Sequence, residues 1–196
     1  MEINFEMDKL NSYIKIFDNL LDDKVYQSFL KVCKNDVNYK PSLISTVNGN
    51  IVDKKIRDVG TYSLSPLHNE SMTLVHWASY THFKFQTAVE DYKNFLNIVN
   101  PINISDIQIL KYKIEGHYDF HTDHGKWTPR TISLIYFLND DYEGGDLIFK
   151  LCNTNQTTKI EKIKNRLIVW PSNFMFPHKV SPVTNGERYS VVAWAL

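Results

Sequence analysis

The chain has 196 residues, 43% hydrophobic and 22% charged, with 22 basic and 22 acidic side chains. That length supports one domain whose own core suffices without disulfides or a structural metal. Zero net charge argues against a strongly electrostatic nucleic-acid surface, and no apolar run reaches the length needed to cross a bilayer.

Cys33 and Cys152 lie far apart and make neither a disulfide framework nor a zinc pattern. A reducing compartment is therefore expected. The opening MEINFEMDKL carries acids and no apolar h-region, unlike a signal peptide, so the expected setting is cytoplasmic.

In chain order, SYIKIFD (12–18) alternates like a strand. Asp22 stands where an N-cap belongs, and Val25, Phe29, Leu30, Val32 and Cys33 recur at helical spacing, which predicts a helix over 23–34. Asn48-Gly49 is a hairpin-turn signal, with IVDKKIRDVGTYSL as the return strand of an edge hairpin; a peptide-facing loop is the alternative. Asn69 or Ser71 can cap the next helical stretch. Phe85, Ala88, Val89, Tyr92, Phe95, Leu96 and Val99 share one helix face, and Pro101 is the expected stop. Whether 71–84 joins that helix is not decided by the pattern. Its aromatic stripe reads as core packed across the outside of a sheet.

From about residue 107 the pattern changes to short strands: 107–113, 117–123, 131–138, 145–151, 158–163, 166–172, 178–183 and 188–196. Turn residues separate them at Glu115-Gly116, Glu143-Gly144-Gly145, Lys164-Asn165 and Asn185-Gly186. Eight short strands at regular spacing signal a sandwich or barrel, and eight suit a jelly roll. The lysines around 159–164 read as a solvated face.

The chemistry centres on YKIEGHYDFHTD (112–123). It ends in His121-Thr122-Asp123, and strand residues two apart project to the same face, so both side chains can reach one metal ion. His178, in FPHKVSPV, is the candidate third ligand. Two histidines and one carboxylate on one face of a metal form the facial triad of non-haem Fe(II) oxygenases. A His-x-Asp is weak by itself and gains meaning from this context. His68, His76, His82, His117 and His124 read as ordinary polar or packed histidines, with a supporting role beside the metal left open for His124.

YKIEGHYDFHTD, ISLIYFLND, EGGDLIF and PHKVSPVTNGERYSVVAWA, in that order, make residues 107–196 resemble the prolyl 4-hydroxylase branch of the 2-oxoglutarate- and Fe(II)-dependent dioxygenases. The resemblance implies a mainly β fold: a double-stranded β-helix (jelly-roll) core over 107–196, supported by helices and strands from 1–106 within the same domain. It implies Fe(II) held by His121, Asp123 and His178, with 2-oxoglutarate and O2 as cosubstrates and ascorbate as a reductant. It also implies that Arg188 binds the distal carboxylate of 2-oxoglutarate, beside Tyr112 and with a hydroxyl from Ser190. A guanidinium suits that task because it forks onto a carboxylate through two charge-assisted hydrogen bonds. Tyr118 and Trp194 match aromatics near substrate and metal, and Trp127 and Arg130 in HGKWTPR are placed to grip substrate. One departure is Phe137, where some relatives carry a tyrosine assisting the arginine; either Ser190 or Tyr136 compensates, or the cosubstrate binds more weakly. The implied activity is hydroxylation of a C–H bond with release of succinate and CO2, most naturally on a prolyl residue of a peptide or protein. The same chemistry on a small molecule or free amino acid, or a metal-bearing binding module without turnover, are the alternatives.

Overall fold

The computed structural model describes residues 10–46, 49–65, 67, 71–126, 128–151 and 155–196. A first strand, β1 (Lys15–Asp18), leads into α1 (Asp23–Asn35). Asp22 occupies the N-cap position, yet its side chain caps no backbone N–H; its carbonyl accepts the first helical bond, from the Tyr26 N–H. Short strands follow: β2 (Lys40–Pro41), β3 (Ile44–Thr46), β4 (Gly49–Ile51), β5 (Arg57–Asp58) and β6 (Gly60–Ser63). The hairpin expected here is smaller than its sequence signal. β3 pairs only with β4, and the would-be return strand breaks at Ile51. Its remainder goes to two different sheets, because β5 pairs with one core strand and β6 with another. Asn48, the expected turn residue, lies outside the described residues.

The second helix, α2 (Met72–Leu96), is continuous, so 72–84 joins the periodic stretch. Ser71 stands at its N-cap without a side-chain cap bond. The helix ends before Pro101. Asn97 turns left-handed (φ 57°), and the Ile98 N–H returns to the Lys93 carbonyl, leaving Val99 outside the helix and exposed. Asparagine tolerates that conformation better than other non-glycine residues, so it stops the helix without proline.

The remaining strands are β7 (Ile104–Tyr112), β8 (His117–His121), β9 (Ile132–Phe137), β10 (Glu143–Gly144), β11 (Leu147–Lys150), β12 (Thr157–Lys159), β13 (Arg166–Pro171), β14 (His178–Val180), β15 (Val183–Asn185) and β16 (Arg188–Ala195). The stretch expected as one strand over 178–183 is two, split at Ser181-Pro182, since proline has no N–H for a ladder. A seven-stranded sheet runs β1-β13-β9-β16-β7-β6-β2, and a five-stranded sheet runs β12-β11-β14-β8-β5. Every strand pairing is antiparallel, as two stacked sheets of a jelly roll require.

Alternation along the central strands sorts the interior into two cores. On one face of the large sheet, Leu134, Tyr136, Leu167, Val169, Tyr189, Val191 and Ala193 pack against Phe29 and Cys33 of α1 and Phe85, Val89 and Tyr92 of α2. On the other face, Leu110, Ile135, Phe137, Ile168 and Val192 meet Leu147, Phe149 and Val180 of the small sheet. The site lies in this second core.

Candidate active site

His121 closes β8 and His178 opens β14, and the two are directly paired across the strands. Asp123 follows two residues after His121. One metal-ligating atom from each lies within 4.8 Å of the others. The His121 Nε2 is 3.7 Å from Asp123 Oδ1, and the His178 Nε2 is 3.5 Å from Asp123 Oδ2. Each imidazole uses Nδ1 in the same way: His121 contacts the Asp119 carbonyl at 2.8 Å and His178 the Phe176 carbonyl at 3.0 Å. A carbonyl can only accept, so Nδ1 carries the proton and Nε2 keeps a lone pair facing the cluster. This is how ligating histidines are held by their outer partners.

Electrostatics fit the same arrangement. Burial, with His178 alongside, pushes the His121 pKa down to about 3, which keeps the ring neutral at ordinary pH. Burial raises the Asp123 carboxyl, yet its pKa is held below the usual carboxylate value; beside neutral imidazoles, the Ser133 hydroxyl and the Arg130 guanidinium are the groups that favour the charged form. Ser133 donates to Asp123 Oδ2 at 2.7 Å and shares a 2.7 Å hydrogen bond with Ser172. Two neutral nitrogens and one carboxylate suit a divalent transition metal such as Fe(II).

A cavity of about 570 Å3, counting its open mouth, adjoins the cluster. Its walls are apolar at Leu110, Leu134, Ile135, Leu147, Val180 and Val192, with Tyr112, Tyr118, Trp170 and Trp194 also lining it. Tyr118 stacks on the His121 ring at 3.5 Å between centroids. The Arg130 guanidinium lies 3.5 Å over the Trp194 ring. Trp127 falls outside the described residues. His124 is exposed, with Nδ1 2.8 Å from the Arg130 carbonyl, and His117 contacts the Glu115 and Lys55 carbonyls, so neither joins the cluster.

Behind Tyr112 lies Arg188, fully buried at 0% exposure, its guanidinium 4.7 Å from the Tyr112 ring and 5.5 Å from Phe137. Nη1 donates to Ser190 Oγ at 3.1 Å, while Nε and Nη2 are buried without a partner. A buried charge this poorly satisfied is rare unless a ligand completes it. The unpaired N–H groups therefore fit a carboxylate such as that of 2-oxoglutarate. Of the two residues expected to offset Phe137, Ser190 touches Arg188. Tyr136 does not, since odd and even strand positions face opposite sides; its hydroxyl donates to Asn165 Oδ1 in the helix-side core.

Sequence reasoning missed Tyr142. Its hydroxyl is buried, meets no group in good hydrogen-bond geometry, and lies near enough to the Arg188 guanidinium to interact with it. Gly145 explains how the two come together. A Cβ there would sit 3.0 Å from Arg188 Cδ and 3.0 Å from Tyr142 Cε2, on a backbone with φ 58°. Only glycine meets both conditions without strain. Lys162, expected on a solvated face, instead donates to the Tyr142 and Gly144 carbonyls and covers the Tyr142 ring at 4.6 Å. The EGG text was legible as a turn, but nothing local in DDYEGGD ties its tyrosine to an arginine 46 positions on.

Residues 107–196 match the model of the 2OG-Fe(II) oxygenase superfamily. That match takes in 90 of the 196 residues, from 107 to 196, and includes the His-Asp-His cluster. The chain is similar to a PKHD-type hydroxylase of Rippkaea orientalis, 31% identical over 103 residues that make up 49% of this chain and 45% of that protein. It is also similar to prolyl 3-hydroxylase 2 of Homo sapiens, 32% identical over 120 residues, 59% of this chain and 16% of that protein. The chain thus spans less than half the length of the curated relatives it matches. Two solved structures share the fold. A prolyl hydroxylase from Trichoplax adhaerens, in complex with a hypoxia inducible factor oxygen degradation domain peptide fragment, aligns with TM-score 0.73 at 19% identity, covering 96% of this chain and 86% of that one. A prolyl-4-hydroxylase from Pseudomonas putida aligns with TM-score 0.67 at 18% identity, covering 95% of each.

Proposed function

We propose that this chain is an Fe(II)- and 2-oxoglutarate-dependent hydroxylase that acts on a prolyl residue of a peptide or protein and releases succinate and CO2. The observation that carries this reading is the pairing of two incomplete sites in one core. Three metal-ligating atoms converge, and beyond Tyr112 a fully buried guanidinium has two nitrogens, Nε and Nη2, with hydrogens to spare.

In this reading His121, Asp123 and His178 hold the iron through Nε2, a carboxylate oxygen and Nε2. Arg188 receives the distal carboxylate of 2-oxoglutarate, with the Ser190 and Tyr142 hydroxyls beside it and Tyr112 as a wall. Iron, 2-oxoglutarate and O2 supply the power to hydroxylate a C–H bond, with ascorbate as the reductant that keeps the iron Fe(II). The chain supplies orientation and dryness. Ser133 and the two backbone carbonyls lock the ligands, and the apolar walls keep water from the reacting atoms. Tyr118, Arg130 and Trp194 face the incoming substrate, and Trp127 is the fourth residue proposed for that role. A cytoplasmic setting belongs to the proposal; Cys33, a buried free thiol, is compatible with a reducing compartment.

The test is succinate formation by purified protein with Fe(II), ascorbate and 2-oxoglutarate, with and without proline-containing peptides. Peptide-stimulated succinate and a product heavier by one oxygen support the reading. Succinate that no peptide stimulates moves the substrate to a small molecule. No succinate from folded, iron-loaded protein overturns the reading and leaves a binding module.

A further inference from the structure

The cavity mouth carries a charge that hydroxylation as such does not need. Arg57 and Arg130 both line it, and among the described lining residues Asp123 is the sole carboxylate. Asp123 belongs to the ligand cluster, so its charge is already engaged there. Arg130 lies flat on Trp194, with Nη1 3.7 Å from Asp123 Oδ1, beyond hydrogen-bond length. Asp106, the residue across the strand pair from Trp194, has one oxygen occupied by the Gln108 side chain at 2.7 Å.

Arg57 is held from the opposite side. It sits on β5, paired directly with Tyr118, and its guanidinium lies 4.7 Å from the Tyr118 ring. Nη1 donates to the Leu43 carbonyl at 3.2 Å, while Nε is buried with no partner. The adjacent acid, Asp58, pairs with Lys54 at 3.6 Å instead. Two guanidiniums thus rest on Tyr118 and Trp194, the aromatics expected beside substrate, and neither has a hydrogen-bonded carboxylate among the described residues. Like charges lining one mouth repel and favour an anionic guest. Guanidiniums backed by aromatic faces are already oriented, so little freedom is lost when they fork onto a carboxylate.

We propose that this mouth selects a carboxylate-bearing substrate: a peptide with aspartate or glutamate beside the reacting residue, gripped by Arg57 and Arg130. The choice of peptide rests on the hydroxylase reading above; the charge preference rests on the two arginines. Arg57 becomes a specificity residue supplied by the N-terminal half, outside the stretch that matches the superfamily model.

The experiment uses short synthetic peptides with one central proline flanked by aspartate, alanine or lysine. Each is assayed for binding by fluorescence anisotropy and for hydroxylation by mass. The aspartate peptides are expected to bind at least about ten-fold more tightly than the alanine ones, with an advantage that shrinks as salt is raised. Arg57→Gln and Arg130→Gln should each narrow that ratio, and Arg57→Glu should tilt it toward lysine. Circular dichroism and melting of each variant separate lost folding from lost selectivity. Equal binding of all three peptides, or an aspartate preference that survives both glutamine variants, overturns the proposal whatever the protein hydroxylates. Selective binding of aspartate peptides without hydroxylation sustains the charge preference and sinks the prolyl hydroxylase reading instead.

Discussion

The two faces of the seven-stranded sheet are built from the same strands and do opposite things. Along β16, Tyr189, Val191, Ala193 and Ala195 point to the helices, while Arg188, Ser190, Val192 and Trp194 point to the cavity side. On the helix side, buried polar groups are matched. Tyr26 donates to the Leu138 carbonyl, Tyr136 donates to Asn165 Oδ1, and Asn165 also clasps both backbone groups of Leu21. On the cavity side, Arg188 Nε and Nη2, the Tyr142 hydroxyl and Trp170 Nε1 are buried with no group in good hydrogen-bond geometry. One face is finished by the chain itself. The other is left open at the positions where ligands are proposed to complete it, which is how binding sites store destabilisation.

The comparison fails first if the open face is dispensable. Asp123→Ala removes the carboxylate from the cluster, and turnover should fall on the order of a thousand-fold or more while the helix-side core stays folded. Succinate assays with parallel melting curves check this. Arg188→Met tests the idea of stored destabilisation directly. An apolar side chain of similar reach removes a buried charge with unmet hydrogen bonds, so stability should rise by about 1–3 kcal/mol while 2-oxoglutarate binding is lost. Denaturant unfolding and cosubstrate titration read the two effects separately; a destabilised variant would mean that Arg188 is satisfied without ligand.

Acid provides a smaller perturbation, in metal-free protein. The folded His121 pKa, near 3, lies below the ordinary histidine value of 6.5. The unfolded chain therefore takes up the proton first, and stability from this group, full above about pH 6.5, should fall as pH drops toward 3. His121→Gln should flatten that part of the Tm–pH curve. The smallest effects come from a matched pair of deleted hydroxyls. Tyr136→Phe removes one of the two donors to the buried Asn165 Oδ1, the Leu21 N–H remaining, and should lose about 1 kcal/mol of stability with the KM for 2-oxoglutarate unchanged. Tyr142→Phe removes a hydroxyl that meets no group in good hydrogen-bond geometry, so stability should change little while that KM increases several-fold.

What the sequence made legible follows the reach of its patterns. The pair His121 and Asp123, expected to share a metal, is a period-two signal in the sequence. Arg188 and Ser190 form another, and the quoted motifs linked them to His178. α1 appeared at its observed position because its apolar spacing is local. Arg57 stayed hidden because β5 is two residues long, too short for any period, and its position is set by pairing with Tyr118, 61 residues on. Tyr142 stayed hidden for a similar reason, since its partner is distant and its neighbours read only as a turn. The end of α2 was misjudged because Asn97 stops the helix by backbone conformation, which apolar spacing does not record.

β1 lies at the far edge of the large sheet, where Asp18 takes a bidentate grip from Arg166, 148 positions away. Such a contact closes nearly the whole described chain into a loop. Folding dominated by non-local pairings of this kind runs on the millisecond-to-second scale rather than in microseconds. The proposed ligands His121 and His178 come from strands that meet only across the small sheet, so a metal-binding signal in a refolding experiment should appear no earlier than the signal for sheet formation. Kinetics would then time the birth of the site against the closing of the barrel.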